Sequence, residues 1–143
     1  MGFVYMVAQV PNNDAFMLWN TRLYVSIQKD VDKLRHDGYE TLIMGDLRHV
    51  GSGEDGIPGN LSNVNYNGRL IQDFVSVNNM VIVNAKQEVT SGLFTRSAGG
   101  YSTILDYVLT SGGLMSKINS LTIDEHAEVF MGSDHAGLIL EVE

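Results

Sequence analysis

Three runs of consecutive apolar residues constrain the fold of this chain more than any other feature. They occupy residues 3–8, 80–83 and 138–140, and none of them alternates between apolar and polar side chains. Strands of this kind are usually covered on both faces. Substantial helical patterns occur only at residues 14–38 and 70–77, enough for about one layer over one face of a sheet. The sequence therefore predicts an α/β fold in which something besides these helices covers the second face.

Helical periodicity is clearest after the break at residues 11–14, where Asn13 or Asp14 can cap a helix. Gly38 supplies a C-terminal stop. Apolar residues recur every three or four positions between these limits, at Phe16, Trp19, Leu23, Ile27, Val31 and Leu34. Strands are predicted at 41–45, 80–84, 103–110, 117–123 and 137–142, with loops at 48–67 and 90–101.

Composition narrows the classes of function. The 143 residues predict one domain over 1–143. Nine basic against 17 acidic side chains give a net charge of −8, which opposes nonspecific binding of nucleic acid. The sequence has no cysteine, no basic signal region and no apolar stretch near the ~18 residues that span a bilayer. We expect an intracellular protein, cytoplasmic or nuclear, that is neither secreted nor bound to a membrane.

Carboxylates and a histidine accompany the predicted strands. Asp46 closes the run 41–45, Asp106 lies within 103–110, and Ser133-Asp134-His135 precedes the last strand. Taken singly, each has a simpler reading as a turn, a structural carboxylate or a capped loop. A carboxylate in a core strand is nevertheless costly unless it is paired. Together, these residues could converge on one metal ion and one phosphate.

In this order and spacing, the motifs resemble the C-terminal half of the endonuclease/exonuclease/phosphatase superfamily, which has the DNase I-like fold. They are most similar to apurinic-type and retrotransposon-type endonucleases. The resemblance covers nearly the whole chain, through Val10-Pro11-Asn12, the long helix, 42–46, Asn67-Gly68-Arg69-Leu70, Phe94-Thr95, 102–109 and Ser133-Asp134-His135. It implies half of a four-layer α/β sandwich, with one mixed sheet and helices on one face. A second copy, in a homodimer, or a partner chain is expected to cover the other face.

The resemblance also implies chemistry, namely metal-assisted hydrolysis of a phosphodiester or phosphomonoester. Asp46 would orient and deprotonate the attacking water, and His135 would contact the scissile phosphate. Asp106 would fix the tautomer of that histidine. Asp134 and Asp46 would hold Mg²⁺ or Mn²⁺, which favour oxygen ligands. Nucleic acid or another phosphoester is the expected substrate.

Several positions depart from the pattern of the superfamily. Arg48 replaces an asparagine, and could either bind phosphate or pair with Asp46 and silence it. Gln9 replaces a tyrosine; Arg48, Gln9 and Asn12 are the predicted substrate-binding residues. No glutamate stands in the context of the superfamily's metal-binding glutamate, so the cation is expected to bind weakly. Three hypotheses follow: an incomplete, weakly active phosphoesterase derived from an endonuclease, a noncatalytic binding or assembly module, and a fragment that needs a separate N-terminal half.

Overall fold

The computed structural model describes residues 14–47, 66–126 and 133–143. A 3₁₀ turn at Val83–Ala85 follows the second strand. The remaining elements are, in chain order, α1 (Asp14–His36), β1 (Leu42–Asp46), α2 (Tyr66–Val77), β2 (Met80–Ile82), β3 (Thr90–Ser91), β4 (Arg96–Ala98), β5 (Tyr101–Thr103), β6 (Asp106–Ser111), α3 (Gly112–Met115), β7 (Ile118–Ile123) and β8 (Leu138–Val142). The predicted α/β class is confirmed. Within these ranges, no helix is long and apolar enough to cross a membrane.

Helix α1 ends where the sequence predicts, through a pattern of hydrogen bonds that favours glycine. The N–H of Gly38 donates to the carbonyl of Arg35 at 3.1 Å, and the N–H of Tyr39 donates to the carbonyl of Leu34 at 2.8 Å. Gly38 has a φ of +84°, a conformation that glycine adopts without the steric cost of a Cβ atom. The chain can therefore reverse at this point and enter β1 a few residues later.

The buried face of α1 differs from the predicted apolar stripe. Tyr24 and Val31 are buried, but Trp19 is 66% exposed and Leu34 is 38% exposed. Asn20 is buried in their place. Asn20 and Tyr24 are four residues apart and lie on one helix face, so among the described side chains the buried stripe passes one residue after Trp19, while the side chain of Phe16 lies outside them. The sequence pattern missed this shift because it counts asparagine as a polar surface residue.

The first sheet has the order β1-β6-β2, and β6 is antiparallel to both neighbours. Side chains alternate between the two faces of a strand, so each face of β6 takes every second residue. Tyr107 and Leu109 point to the helical side. They share a core with residues of both helices and of β1, including Tyr24, Val31, Ile43, Ile71 and Phe74. This is the helical layer that the sequence predicts.

The other face of the first sheet is covered within the chain. A second sheet has the order β3-β7-β8, with β3 parallel and β8 antiparallel to β7. Val108 of β6 is fully buried and clusters with Ile118 and Leu121 of β7, while Leu138 and Leu140 of β8 pack against them. Strands β7 and β8 therefore cover this face around Val108, and the homodimer or partner chain expected from the resemblance stays a prediction. The strands expected in one mixed sheet are divided between two.

Residues 90–103 are more ordered than predicted. The expected loop contains β3 and the β4–β5 hairpin, which pairs Arg96 with Thr103. The strand predicted at 103–110 is interrupted at Ile104 and Leu105, and β6 begins at Asp106. This interruption separates the hairpin from the first sheet and brings β4 towards the end of β6.

Candidate active site

The site lies at the ends of β1 and β6, on the side of the first sheet that faces the second sheet. Asp46 and Asp106 lie directly opposite one another. The backbone N–H and C=O of Asp106 bond to the side chains of Thr95 and Asn84. Asp46 and Asp106 therefore form a non-hydrogen-bonded pair, the type in which side chains lie closer together. Gly45, with a φ of +152°, gives the strand a backbone conformation that other residues rarely adopt.

His135 reaches this pair from the segment that precedes β8. Its Nδ1 atom lies 2.8 Å from Oδ2 of Asp106. The ligand atoms of Asp46, Asp106 and His135 all lie within 4.8 Å of one another. The structure thus brings together the three residues that the resemblance implies are catalytic, although long stretches of sequence separate them.

The carboxyl group of Asp106 is buried, and this burial raises its pKa. Hydrogen bonds from His135 and Thr95, together with the charge of His135, lower that pKa in part, while the negative charge of Asp46 raises it. When Nδ1–H of the imidazole donates to Asp106, its Nε2 atom remains for a ligand. The pair therefore fixes both the orientation and the tautomer of His135.

Thr95 is the centre of the hydrogen bonds that support the site, a role that the sequence did not reveal. It is fully buried. Its Oγ1 accepts the N–H groups of Leu105 at 2.8 Å and of Asp106 at 3.0 Å, and its hydroxyl also bonds to the Asp106 carboxyl group. The Thr95 carbonyl accepts the N–H of Ala136 at 2.7 Å. One residue therefore positions Asp106 and the chain beside His135.

Asn84 supports the same carboxylate from the β2 side. Strand β2 ends at Ile82, and beyond it the side-chain amide of Asn84 takes over the pairing with β6. Its Nδ2 donates to the carbonyl of Asp106 at 3.1 Å, and its Oδ1 accepts the N–H of Val108 at 2.9 Å. Asn84 is buried, so these bonds are shielded from water. The start of β6 is thereby held on both sides.

The side chain of Asp134 bonds to Arg96, whereas the side chain of its neighbour His135 bonds to Asp106. Its Oδ2 accepts a hydrogen bond from Nε of Arg96 at 3.1 Å, and Arg96 lowers the pKa of this carboxyl group. Of the two residues predicted to hold the metal, Asp46 belongs to the central cluster and Asp134 is paired with Arg96. Sequence reasoning missed Arg96 because it lies in a segment that was predicted to be a loop.

The three predicted substrate-binding residues, Gln9, Asn12 and Arg48, lie outside the residues that the structure describes. Their roles remain predictions.

The described cluster fits a divalent cation. Asp46 and Asp106 offer carboxylate oxygens, the donors that Mg²⁺ and Mn²⁺ prefer, and the imidazole of His135 lies beside them. Asp106 already bonds to His135 and Thr95. Two carboxylates opposite one another repel, and a cation between them would offset that repulsion. The cluster therefore fits a cation because its carboxylate oxygens are suitable ligands and lie close together.

A cleft of about 240 Å³ opens beside His135. It is lined by residues 94–97, 124–126 and 133–136. Hydroxyl, carboxylate, imidazole and guanidinium groups all line it. The cleft is smaller than the usual pocket for a drug-sized ligand, so it suits a small group such as a phosphate.

Comparisons with known proteins establish the fold. No protein-family model matches the sequence, and no curated protein matches it. Among solved structures, 39 chains match, including the 3′ phosphatase NExo from Neisseria bound to a product DNA hairpin. That match has a TM-score of 0.65 and 14% sequence identity, and it covers 94% of this chain. The match spans 56% of the NExo chain. At this identity it shows the fold alone, which is the DNase I-like fold expected from the resemblance.

Proposed function

We propose that this chain is a metal-dependent phosphoesterase domain, derived from an endonuclease, that hydrolyses a phosphoester bond of nucleic acid. The observation that carries the proposal is the convergence of Asp46, Asp106 and His135 within 4.8 Å. The fold shared with a DNA 3′ phosphatase supports nucleic acid as the substrate. Descent from apurinic-type or retrotransposon-type endonucleases is part of the proposal and rests on the sequence motifs.

The residues of the cluster divide the chemistry between them. A divalent cation held by Asp46 and by the carboxylate of Asp106 would polarise a phosphoryl oxygen and offset its charge. As general base, Asp46 takes a proton from the attacking water while the water oxygen bonds to phosphorus. The bond from phosphorus to the ester oxygen breaks, and that oxygen leaves as a hydroxyl after taking a proton from solvent. Asp106 holds Nδ1–H of His135 and stabilises the imidazolium, which then donates Nε2–H to the phosphate oxygen that gains negative charge. Asp106 is buried, so water screens its charge weakly and its interaction with the imidazolium of His135 is stronger.

A second candidate is a fragment that acts only together with a separate N-terminal half. The observation in its favour is that the matched region spans 56% of the NExo chain. The resemblance places a metal-binding glutamate in the half that precedes this region. A cation held by the described residues would then bind weakly, and activity would rise when the missing half is supplied.

Cleavage assays on DNA distinguish the candidates. The substrates are supercoiled plasmid, an abasic duplex and an oligonucleotide with a 3′ phosphate, each with Mg²⁺, Mn²⁺ or EDTA. His135→Ala should lower kcat/KM by a factor of about 10²–10³, the usual contribution of a donor that stabilises negative charge in the transition state. His36→Ala is the matched control, because His36 is exposed on α1.

Each outcome selects one hypothesis. Metal-dependent cleavage that is lost in His135→Ala and kept in His36→Ala supports the enzyme. Cleavage that requires an added upstream half supports the fragment. Binding of DNA without turnover under every condition contradicts both and supports a noncatalytic module.

A further inference from the structure

Arg96 is a charged side chain beside the candidate active site to which the proposed chemistry gives no role. It lies on β4 and forms an antiparallel bridge with His135. Residues directly opposite one another in such a pair point to the same face, with Cβ atoms about 5 Å apart. The side chains of Arg96 and His135 therefore start from opposed backbone positions, and both residues line the cleft of about 240 Å³.

The contact with Asp134 engages only part of the Arg96 side chain. Its Nε donates to Oδ2 of Asp134 at 3.1 Å, whereas a guanidinium carries five N–H donors in a planar fork that matches phosphate oxygens. The two side chains are 38% and 55% exposed. Ion pairs this exposed contribute little to stability, because water solvates both partners. A phosphate can therefore replace Asp134 as the partner of Arg96 at little cost.

Two other donors accompany Arg96 in the cleft. Oγ of Ser133 accepts the backbone N–H of His135 at 3.1 Å, and a hydroxyl that accepts one bond can still donate its own hydrogen. His135 binds Asp106 through Nδ1, which leaves Nε2 as its second ring position. A guanidinium, a hydroxyl and an imidazole are all groups that donate hydrogen bonds to phosphate oxygens.

Acidic groups in the cleft oppose an anion and make the charge of Arg96 decisive. Glu125 accepts the N–H of Phe94 at 2.7 Å, and Asp124 is buried. Of the described residues that line the cleft, Arg96 is the one with a permanent positive charge. The whole chain carries 17 acidic and 9 basic side chains, so no general excess of positive charge would attract phosphate without Arg96.

We propose that Arg96, Ser133 and His135 form a phosphate-binding subsite, in which Asp134 holds the guanidinium until a phosphate replaces it. This inference rests on the proposed function, because it places the phosphate of the substrate beside His135. The subsite favours a terminal phosphomonoester over an internal phosphodiester. A monoester carries almost two negative charges near neutral pH, since its second pKa is about 6, and it offers a third oxygen to His135 after the fork takes two.

The test measures binding of inorganic phosphate to the whole chain by isothermal titration calorimetry in EDTA, where no turnover occurs. Arg96→Gln should weaken binding by about tenfold or more, because a charge-assisted bidentate contact is lost. Arg96→Lys should restore only part of the affinity, because lysine lacks the fork. Asp134→Asn should tighten binding a few-fold by removing the competing carboxylate. Arg69→Gln is the control, since Arg69 is exposed on α2.

Unchanged phosphate affinity in Arg96→Gln overturns the inference, and so does an equal loss in Arg69→Gln. Failure of the unaltered chain to bind phosphate also overturns it. Circular dichroism spectra of all variants establish that each one is folded before binding is measured.

A second measurement separates this inference from the proposed function. If phosphate binds through Arg96 but no nucleic acid is cleaved, the subsite stands and the proposed function fails. If cleavage occurs and Arg96→Gln leaves KM unchanged for both terminal and internal phosphates, the proposed function stands and the subsite fails. A rise in KM confined to the terminal phosphate supports both.

Discussion

Thr95→Val tests the support of the candidate active site, because valine keeps the shape of threonine and removes the hydroxyl. Two N–H groups, those of Leu105 and Asp106, would lose their acceptor in a buried environment. Each buried donor left without a partner costs about 1–3 kcal/mol, so after local relaxation we expect a loss of roughly 2–4 kcal/mol in the free energy of unfolding. The Asp106 carboxyl group would also lose a hydrogen bond that lowers its pKa, so that pKa should rise further.

Urea denaturation followed by circular dichroism measures the first effect. A loss of this size shifts the midpoint Cm by about 0.7–4 M, given a typical slope of about 1–3 kcal/mol per molar urea. Thr90→Val is the matched control, because the Thr90 hydroxyl makes a single hydrogen bond, to the carbonyl of Val83 at 2.7 Å. Its loss should cost only about 1 kcal/mol. Thr95→Ser, which restores the hydroxyl, should recover most of the stability.

An equal or smaller loss in Thr95→Val than in Thr90→Val would refute the reasoning, since two buried donors would then carry no special cost. The Asp106 pKa, followed by NMR of its carboxyl carbon in the folded protein, gives an independent readout. A pKa that stays the same or falls in Thr95→Val would show that the threonine hydroxyl does not stabilise the ionised carboxylate.

Two further predictions concern the pH dependence and the packing of the fold. Burial raises the pKa of Asp106 above its ordinary value of 3.8, so the folded state binds this proton more tightly than the unfolded state. As pH rises through the window between those two pKa values, the protein should lose stability relative to Asp106→Asn, measured by urea denaturation in EDTA. A difference that does not change with pH would contradict this. Gly92→Ala should destabilise the fold by about 1–3 kcal/mol more than Gly38→Ala in the same assay. Both glycines have a positive φ, but a Cβ atom on Gly92 would clash with the carbonyl oxygen of Ile123, whereas one on Gly38 would meet nothing within 4 Å. Equal losses would show that this close approach is relaxed without cost.

The members of the candidate site could be identified from the sequence, but their supports could not. Asp46 and Asp106 stand at strand ends, and His135 stands in a recognisable tripeptide, so short motifs were sufficient to find them. Thr95 belongs to one of the motifs that resemble the superfamily. Nothing in that motif indicates that its hydroxyl accepts two backbone N–H groups from residues ten and eleven positions later. Such bonds depend on where the chain returns in space, which local spacing does not record.

The same limit explains the errors in the predicted fold. Periodicity correctly placed α1 and its stop at Gly38, because helix bounds depend on nearby residues. The apolar run 80–83 correctly indicated a largely buried strand, whereas the residues of run 138–140 are half-buried and run 3–8 lies outside the residues that the structure describes. The structure shows that β7 and β8 bury Val108 from the side opposite the helices. The prediction of a partner rests on assigning these strands to one sheet, whereas the structure divides them between two.

By itself, the sequence determined the α/β class, the ends of the long helix, the resemblance to the DNase I-like fold and the three residues of the central cluster. Tertiary structure alone decided that a second sheet closes the core, that Thr95 and Asn84 hold Asp106, and that Arg96 pairs with Asp134. Patterns of side chains encode local backbone geometry and burial. Pairing between distant segments is settled only when the whole chain satisfies its buried polar groups and covers its apolar faces together.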